Sequence, residues 1–303
     1  MLSQFLPSGK KLSLTLDRTE WDFGKCQVNI LMVVGSYGYL HVPLYWELLD
    51  NKSGNSSTSD RIDLMRQCVD LLGASRIGLV TADREFVGHV WFRYLKDNQI
   101  PFCVRMPKHH HITDLDCNTS TVEQIMGKGK ERYFTHVMVD GVWGNAYIKK
   151  LKEKDEWLFI FGTADAKLLG QFYRRRWRIE TFFQALKTRG FNLEETHLKA
   201  LEKLKKLLAV VCIAFAFCMS TGFHLHEKIK PIHKKKHGYK ANSFFRHGLN
   251  FIRERLKSKK NTPRNQHQQV LERLALIFVR WLSLQLVKNE YPTNCQTDGK
   301  IVG

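Results

Sequence analysis

Apolar and polar residues alternate at Leu12, Leu14 and Leu16, the pattern of a half-buried strand, and the run leads straight to a carboxylate, Asp17. Two further apolar runs, 28–34 and 39–46, flank the turn Gly35-Ser36-Tyr37-Gly38, so a three-stranded meander is expected. A polar loop rich in Asn, Ser and Gly follows over 50–59. The period then changes. Ile62, Met65, Val69 and Leu72 recur at helical spacing, and Gly73 supplies a stop. Residues 77–81 read as a short apolar strand with Asp83 just beyond its end, 86–95 as a helix, and 100–104 as a fifth strand.

Three antiparallel strands, a helix, a strand, a helix and a strand make the element order of the RNase H-like fold, an α/β class with a mixed sheet flanked by helices. In that arrangement the ends of the first and fourth strands are neighbours, which brings Asp17 and Asp83 together although they are 66 residues apart. From about Met106 the pattern loosens into polar loops and three strands, 133–139, 142–148 and 157–161. The expected organisation is therefore a core in two parts, 1–105 and 164–222, interrupted by a β-rich insertion over 106–163 and followed by a basic C-terminal region, 223–303. A second long helix over 198–219 would cover the sheet.

The helix expected between insertion and cover carries the most informative pattern. Tyr173, Arg176, Glu180 and Lys187 stand at offsets of 0, 3, 7 and 14, so one α-helix points all four along a narrow stripe. Its apolar residues, Phe172, Ile179, Phe183 and Leu186, fall on the adjacent face. A carboxylate flanked by a phenol, a guanidinium and an ammonium suits a metal-assisted site for phosphodiesters: Glu180 can ligate Mg²⁺ while its neighbours hold phosphate oxygens. Taken alone, Arg176 and Glu180 also read as an exposed i,i+4 ion pair.

Charge points the same way. The 303-residue chain has 48 Lys and Arg against 29 Asp and Glu, a net charge of +19, which favours a nucleic-acid partner over an acidic small molecule. Residues 221–265 alone hold 13 Lys and Arg against Glu227 and Glu254. Phe244, Phe245, Leu249, Phe251, Ile252 and Leu256 interleave with them, as in a basic helix that grips a phosphate backbone. A composition of 43% hydrophobic residues is enough to bury a core. Seven cysteines without a Cys-x-x-Cys pair argue against a zinc ribbon or disulfide framework and for thiols in a reducing cytoplasm, and Met1 to Lys11 has no signal-peptide run. The apolar run Leu207–Met219 is short of the ~20 residues that span a bilayer, so a buried helix and no membrane partner are expected. His109-His110-His111 is read as a surface loop, since three adjacent histidines in regular structure cannot all face one ion.

The stretches Leu16-Asp17-Arg18-Thr19-Glu20-Trp21, Ala82-Asp83-Arg84-Glu85-Phe86 and Tyr173-x2-Arg176-x3-Glu180-x6-Lys187, in that order, resemble the DDE transposases of the insertion-sequence family that includes bacterial cut-and-paste elements; the last reproduces that family's Y-R-E-K signature. The resemblance covers roughly residues 10–222. It implies that Asp17, Asp83 and Glu180 are a catalytic triad holding two Mg²⁺ ions, with Mn²⁺ as a substitute, and that Tyr173, Arg176 and Lys187 contact phosphates near the element end. It further implies that Trp157 stacks on a base flipped out beside the cleavage point, a role weighed against a packing role for a strand tryptophan. Double-stranded DNA as partner, a homodimer on two ends, a hairpin intermediate and a nucleoid location in the cytoplasm are implied as well. Members of the family commonly carry a helical N-terminal domain that reads the terminal repeats, whereas sixteen residues precede Asp17 here. A short copy, or a basic tail that takes part of the role, are the two accounts of that departure. A structure-selective nuclease on the same fold and a catalytically silent DNA-binding remnant are the alternatives to a transposase.

Overall fold

The computed structural model describes residues 2–23, 26–49, 54–151, 156–196, 198, 200–236 and 238–257. The first half contains β1 (Leu12–Phe23), β2 (Cys26–Tyr37), β3 (Leu40–Leu49), α1 (Thr58–Leu72), β4 (Ile77–Ala82), α2 (His89–Asp97) and β5 (Phe102–Met106). These strands lie in the order β3-β2-β1-β4-β5. β4 runs parallel to β1 and β5 parallel to β4, which the two intervening helices make possible as crossovers. The order contains the expected meander and places the first and fourth strands side by side.

Three boundaries differ from expectation, each for a local reason. β1 does not end at Asp17 but continues to Phe23. Thr19 and Trp21 are buried beyond the carboxylate, with the indole N–H donating to the Thr19 hydroxyl at 2.8 Å, so the inward face of the strand is prolonged. α1 starts earlier because Ser57 and Asp60 form a reciprocal capping box. α2 starts later, at His89, because the amide of Phe86 closes a turn on the carbonyl of Asp83 at 3.0 Å and the Phe86 ring is buried there.

The segment 106–163 supplies β6 (Ile112–Thr113), β7 (Thr119–Ser120), α3 (Val122–Met126), β8 (Glu131–Val139), β9 (Val142–Leu151) and β10 (Glu156–Gly162). β10 is antiparallel to β5, with Phe159 opposite Met106 and Gly162 opposite Cys103, so the segment's strands are hydrogen-bonded into the same sheet, ten strands in all. α4 (Ala166–Arg174) packs on this half through Leu169, against Leu79, Cys103, Tyr147 and Ile160. Gly170 sets the distance of closest approach: a Cβ there would stand 2.6 Å from the Tyr147 ring. α5 (Trp177–Lys187), a 3₁₀ turn (Leu193–Thr196), α6 (Leu201–Lys228) and α7 (Phe244–Lys257) complete the described chain.

By internal contacts the chain divides into two compact units. One comprises 11–35 and 43–205 and holds every site residue named so far. The other comprises 1–10, 36–42 and 206–303. In that second unit Gly222 of α6 and Gly248 of α7 let the helices touch backbone to backbone, since a Cβ on either would overlap a carbonyl of the other helix. Phe244, Phe245 and Leu249 of the basic segment are buried in it, while the part of that segment beyond residue 257 lies outside the described residues. α6 is long and apolar enough by composition to cross a membrane, and half of its most apolar stretch is buried inside the protein.

Candidate active site

The register of β1 and β4 builds the floor of the site. Thr15 stands opposite Thr81, and their hydroxyls are 3.0 Å apart in the core. Two residues beyond each threonine come Asp17 and Asp83. Each is held by the residue that follows: the amide of Arg18 donates to Asp17 Oδ1 at 2.9 Å, and that of Arg84 to Asp83 Oδ1 at 2.8 Å. The short side chains are thereby aimed before any partner arrives.

The helical stripe comes down on this floor, though not from one helix. α4 ends at Arg174 and α5 begins at Trp177. Between them the amides of Arg175 and Arg176 reach the carbonyls of Phe172 and Tyr173, and Ile179 reaches Arg176, all i→i+3 bonds of a tightened turn. The expectation of a single α-helix over 173–187 is corrected accordingly. Tyr173 and Arg176, on either side of this turn, reach the two aspartates. Tyr173 Oη donates to Asp83 Oδ1 at 3.1 Å; Arg176 Nη1 donates to Asp17 Oδ2 at 2.8 Å; Arg176 Nη2 donates to Glu180 Oε1 and lies 3.9 Å from Asp83 Oδ2. One guanidinium, 12% exposed, thus faces all three carboxylates.

Lys187 is directed elsewhere. Its ammonium donates to the carbonyl of Glu20 on β1 at 2.7 Å and lies 3.7 Å from the Glu194 carboxylate, tying the end of α5 to the strand that carries Asp17. Trp157, half-buried near the start of β10, has the Lys150 ammonium 5.7 Å over its ring. Its neighbour Glu156 reaches Arg84, beside Asp83. The histidine tract lies in the loop between β5 and β6, with His110 Nδ1 2.7 Å from Asp140 Oδ1.

Electrostatics record how crowded the centre is. Burial pushes the Asp17 carboxyl up to about 7, against the opposing pull of Arg176 and the Arg18 amide, and the nearby Asp83 and Glu85 charges add to the rise. Burial likewise raises the Tyr173 phenol. For Arg176 burial opposes the cation, but Tyr173 and the three carboxylates outweigh it and hold its pKa above the ordinary value.

Among the described residues no group of three or more His, Cys, Asp or Glu stands gathered as a metal-holding cluster. The three carboxylates are turned onto the guanidinium instead, so a cation already sits where their charges meet. As chemistry the donor set fits a hard divalent ion, since all of its ligands are carboxylate oxygens.

Several side chains at this site escaped the sequence reading. Arg105 of β5 and Glu156 of β10 pair at 2.8 Å across 51 positions, a contact that only the β5–β10 pairing reveals. Glu85 accepts from Arg18 Nε at 3.1 Å, and burial raises its carboxyl. Trp177, directly after Arg176, is 64% exposed.

No curated protein matches the chain. Among solved structures, one similar chain is the piggyBac transposase in a cryo-EM synaptic complex with hairpin DNA, at a TM-score of 0.45 and 11% identity; the match covers 88% of this chain and 57% of that one. Residues 50–217, more than half of the chain, match the family model described as a transposase DDE domain, a span that begins after Asp17 and includes Asp83, Tyr173, Arg176, Glu180 and Lys187. The chain belongs to the DDE transposase family.

Proposed function

We propose that this protein is a DNA transposase that hydrolyses the phosphodiester at the end of a mobile element and then transfers the freed strand. The observation that carries the reading is the meeting of three carboxylates, from a strand, a strand end and a helix, on a single cation in a half-buried polar site. In this reading Asp17, Asp83 and Glu180 would hold two divalent ions, Mg²⁺ or Mn²⁺. When bound, such a pair activates an attacking oxygen and stabilises the leaving one in an in-line displacement at phosphorus.

The chain's own residues do the rest. The Arg18 and Arg84 amides keep the two aspartates aimed. Arg176, released from the carboxylates, pairs with a backbone phosphate together with Tyr173 and Lys187, a use for which a planar five-donor fork is suited. Trp157 offers an indole face to an extruded base once Lys150 moves off it. The expected assembly is a homodimer that holds two DNA ends, acting on the nucleoid in the cytoplasm.

Asp17→Asn, Asp83→Asn and Glu180→Gln test the assignment, because each removes a ligand charge with little change of shape. Each should lower Mg²⁺-dependent cleavage of element-end DNA by about 10³-fold or more, the equivalent of several kcal/mol of transition-state stabilisation, while duplex affinity is retained. Cleavage at the wild-type rate by any of the three removes that residue from the triad. Cleavage without joined product in the wild-type protein would mark a nuclease instead.

A further inference from the structure

Beside the aspartates lies a second charged cluster with an imbalance of its own. Glu156 Oε1 accepts from Arg84 Nη1 at 3.0 Å and from Arg105 Nη2 at 2.8 Å, so a single carboxylate oxygen is shared by two guanidiniums. Arg105 is fixed on β5 and only 16% exposed, whereas Arg84 is 53% exposed and Glu156 30%. The group therefore joins a largely buried cation, an exposed cation and a half-open carboxylate.

Position gives this cluster its meaning. Arg84 is the residue whose amide holds Asp83, and its own side chain reaches the Glu156 carboxylate. Arg105, opposite Ile160, shares one face of the sheet with Glu156, so the two guanidiniums meet on the side from which Tyr173 reaches Asp83. A phosphodiester carries one negative charge spread over two non-bridging oxygens, and each of these can take a guanidinium of its own, which one shared carboxylate oxygen cannot match.

We propose that Arg84 and Arg105 form a subsite for one backbone phosphate of DNA bound at Asp83, and that Glu156 fills this subsite until the phosphate displaces it. The inference rests on the transposase reading and adds a contact to it. Glu156 then keeps two cations paired and pre-aimed in the free protein, and suppresses binding of stray anions by direct competition.

Duplex DNA binding by the full chain, followed by fluorescence anisotropy across a salt series, tests the proposal. Arg84→Gln should weaken binding by roughly three- to tenfold and flatten the dependence of log K on log salt by about one phosphate equivalent. Glu156→Gln should act in the opposite direction and tighten binding by a similar factor, because the competitor is gone while the shape is kept. Arg84 is exposed, so its replacement preserves folding even if Arg105→Gln does not. A purely structural clamp predicts another result: Glu156→Gln lowers the melting temperature and leaves affinity and salt slope unchanged, as does Arg84→Gln, and that outcome overturns the subsite. Failure of the wild-type chain to bind duplex DNA at all would overturn the transposase reading itself, whereas wild-type binding with both variants unchanged overturns this inference alone.

Discussion

Asp17 and Asp83 reach the centre from the strand β1 and the end of β4, while Arg176 and Glu180 reach it from a broken helix, and the two routes tolerate error differently. A β-register is all or nothing: with Thr15 paired to Thr81, the two aspartates are neighbours, and a one-residue slip would send one of them to the opposite face. An aspartate has one methylene and cannot correct such a slip. The turn between α4 and α5 departs from ideal helical rotation, yet Tyr173, Arg176 and Glu180 still meet their partners. Their side chains are long enough to absorb the difference. Short ligands are placed where the backbone is fixed by pairing, and long ones where it can turn.

The largest expected effect breaks that comparison at its meeting point. Arg176→Gln leaves three carboxylates facing one another without their cation, and losing one partner of such a half-buried arrangement costs about 1–3 kcal/mol. The metal-free variant should therefore melt well below the wild type. Added Mg²⁺ or Ca²⁺ should recover most of the loss, since an ion can take up the charge the guanidinium carried. The divalent-induced rise in melting temperature should be larger in the variant than in the wild type, where the ion must displace Arg176; equal rises in both would show that the two cations do not compete.

Acidity sharpens the strand side. The Asp17 carboxyl is raised from 3.8 to about 7, so between those values the native state holds a proton that the unfolded chain has released. Stability from this group is thus present at low pH and is lost as pH climbs towards 7, at up to roughly 1.4 kcal/mol per pH unit. Urea unfolding of the metal-free protein at pH 5 and pH 8 measures the slope, and Asp17→Asn should flatten it. A slope that survives the substitution would locate the titration elsewhere.

What the sequence could and could not disclose follows the same division. The order of β1 to β5 and the adjacency of Asp17 and Asp83 were legible because alternation has a period of two and each strand announces itself locally. The helical period brought out Tyr173, Arg176 and Glu180, which do meet at the carboxylates, but also Lys187, which reaches Glu20 and Glu194 instead. The break at Arg175-Arg176 was not, since Arg174-Arg175-Arg176 contains no Gly or Pro and the i→i+3 turn is stabilised by contacts to Asp17 and Asp83, far off in the chain. Nor was the entry of β10 beside β5, which decides that Glu156 can meet Arg105: antiparallel pairing between strands some fifty residues apart has no local signal. Trp177 was overlooked because exposure, not residue type, is what marks it.

Lys187 gives the smallest expected effect and separates a tether from a contact. Its ammonium holds the end of α5 to the carbonyl of Glu20, so it already has a structural use on the exposed rim of the site. Surface interactions of this sort contribute well under 1 kcal/mol, and Lys187→Ala should shift the melting temperature by little. If the same ammonium also neutralises a DNA phosphate, the variant should lower the salt dependence of binding by about one equivalent and weaken affinity a few-fold at low salt, with the difference fading as salt rises. Lys187→Arg preserves the charge and should restore the slope even where it cannot reproduce the hydrogen bond to Glu20. A wild-type slope in Lys187→Ala would leave the lysine as a tether between α5 and β1, and confine the phosphate-holding part of the helix to Tyr173 and Arg176.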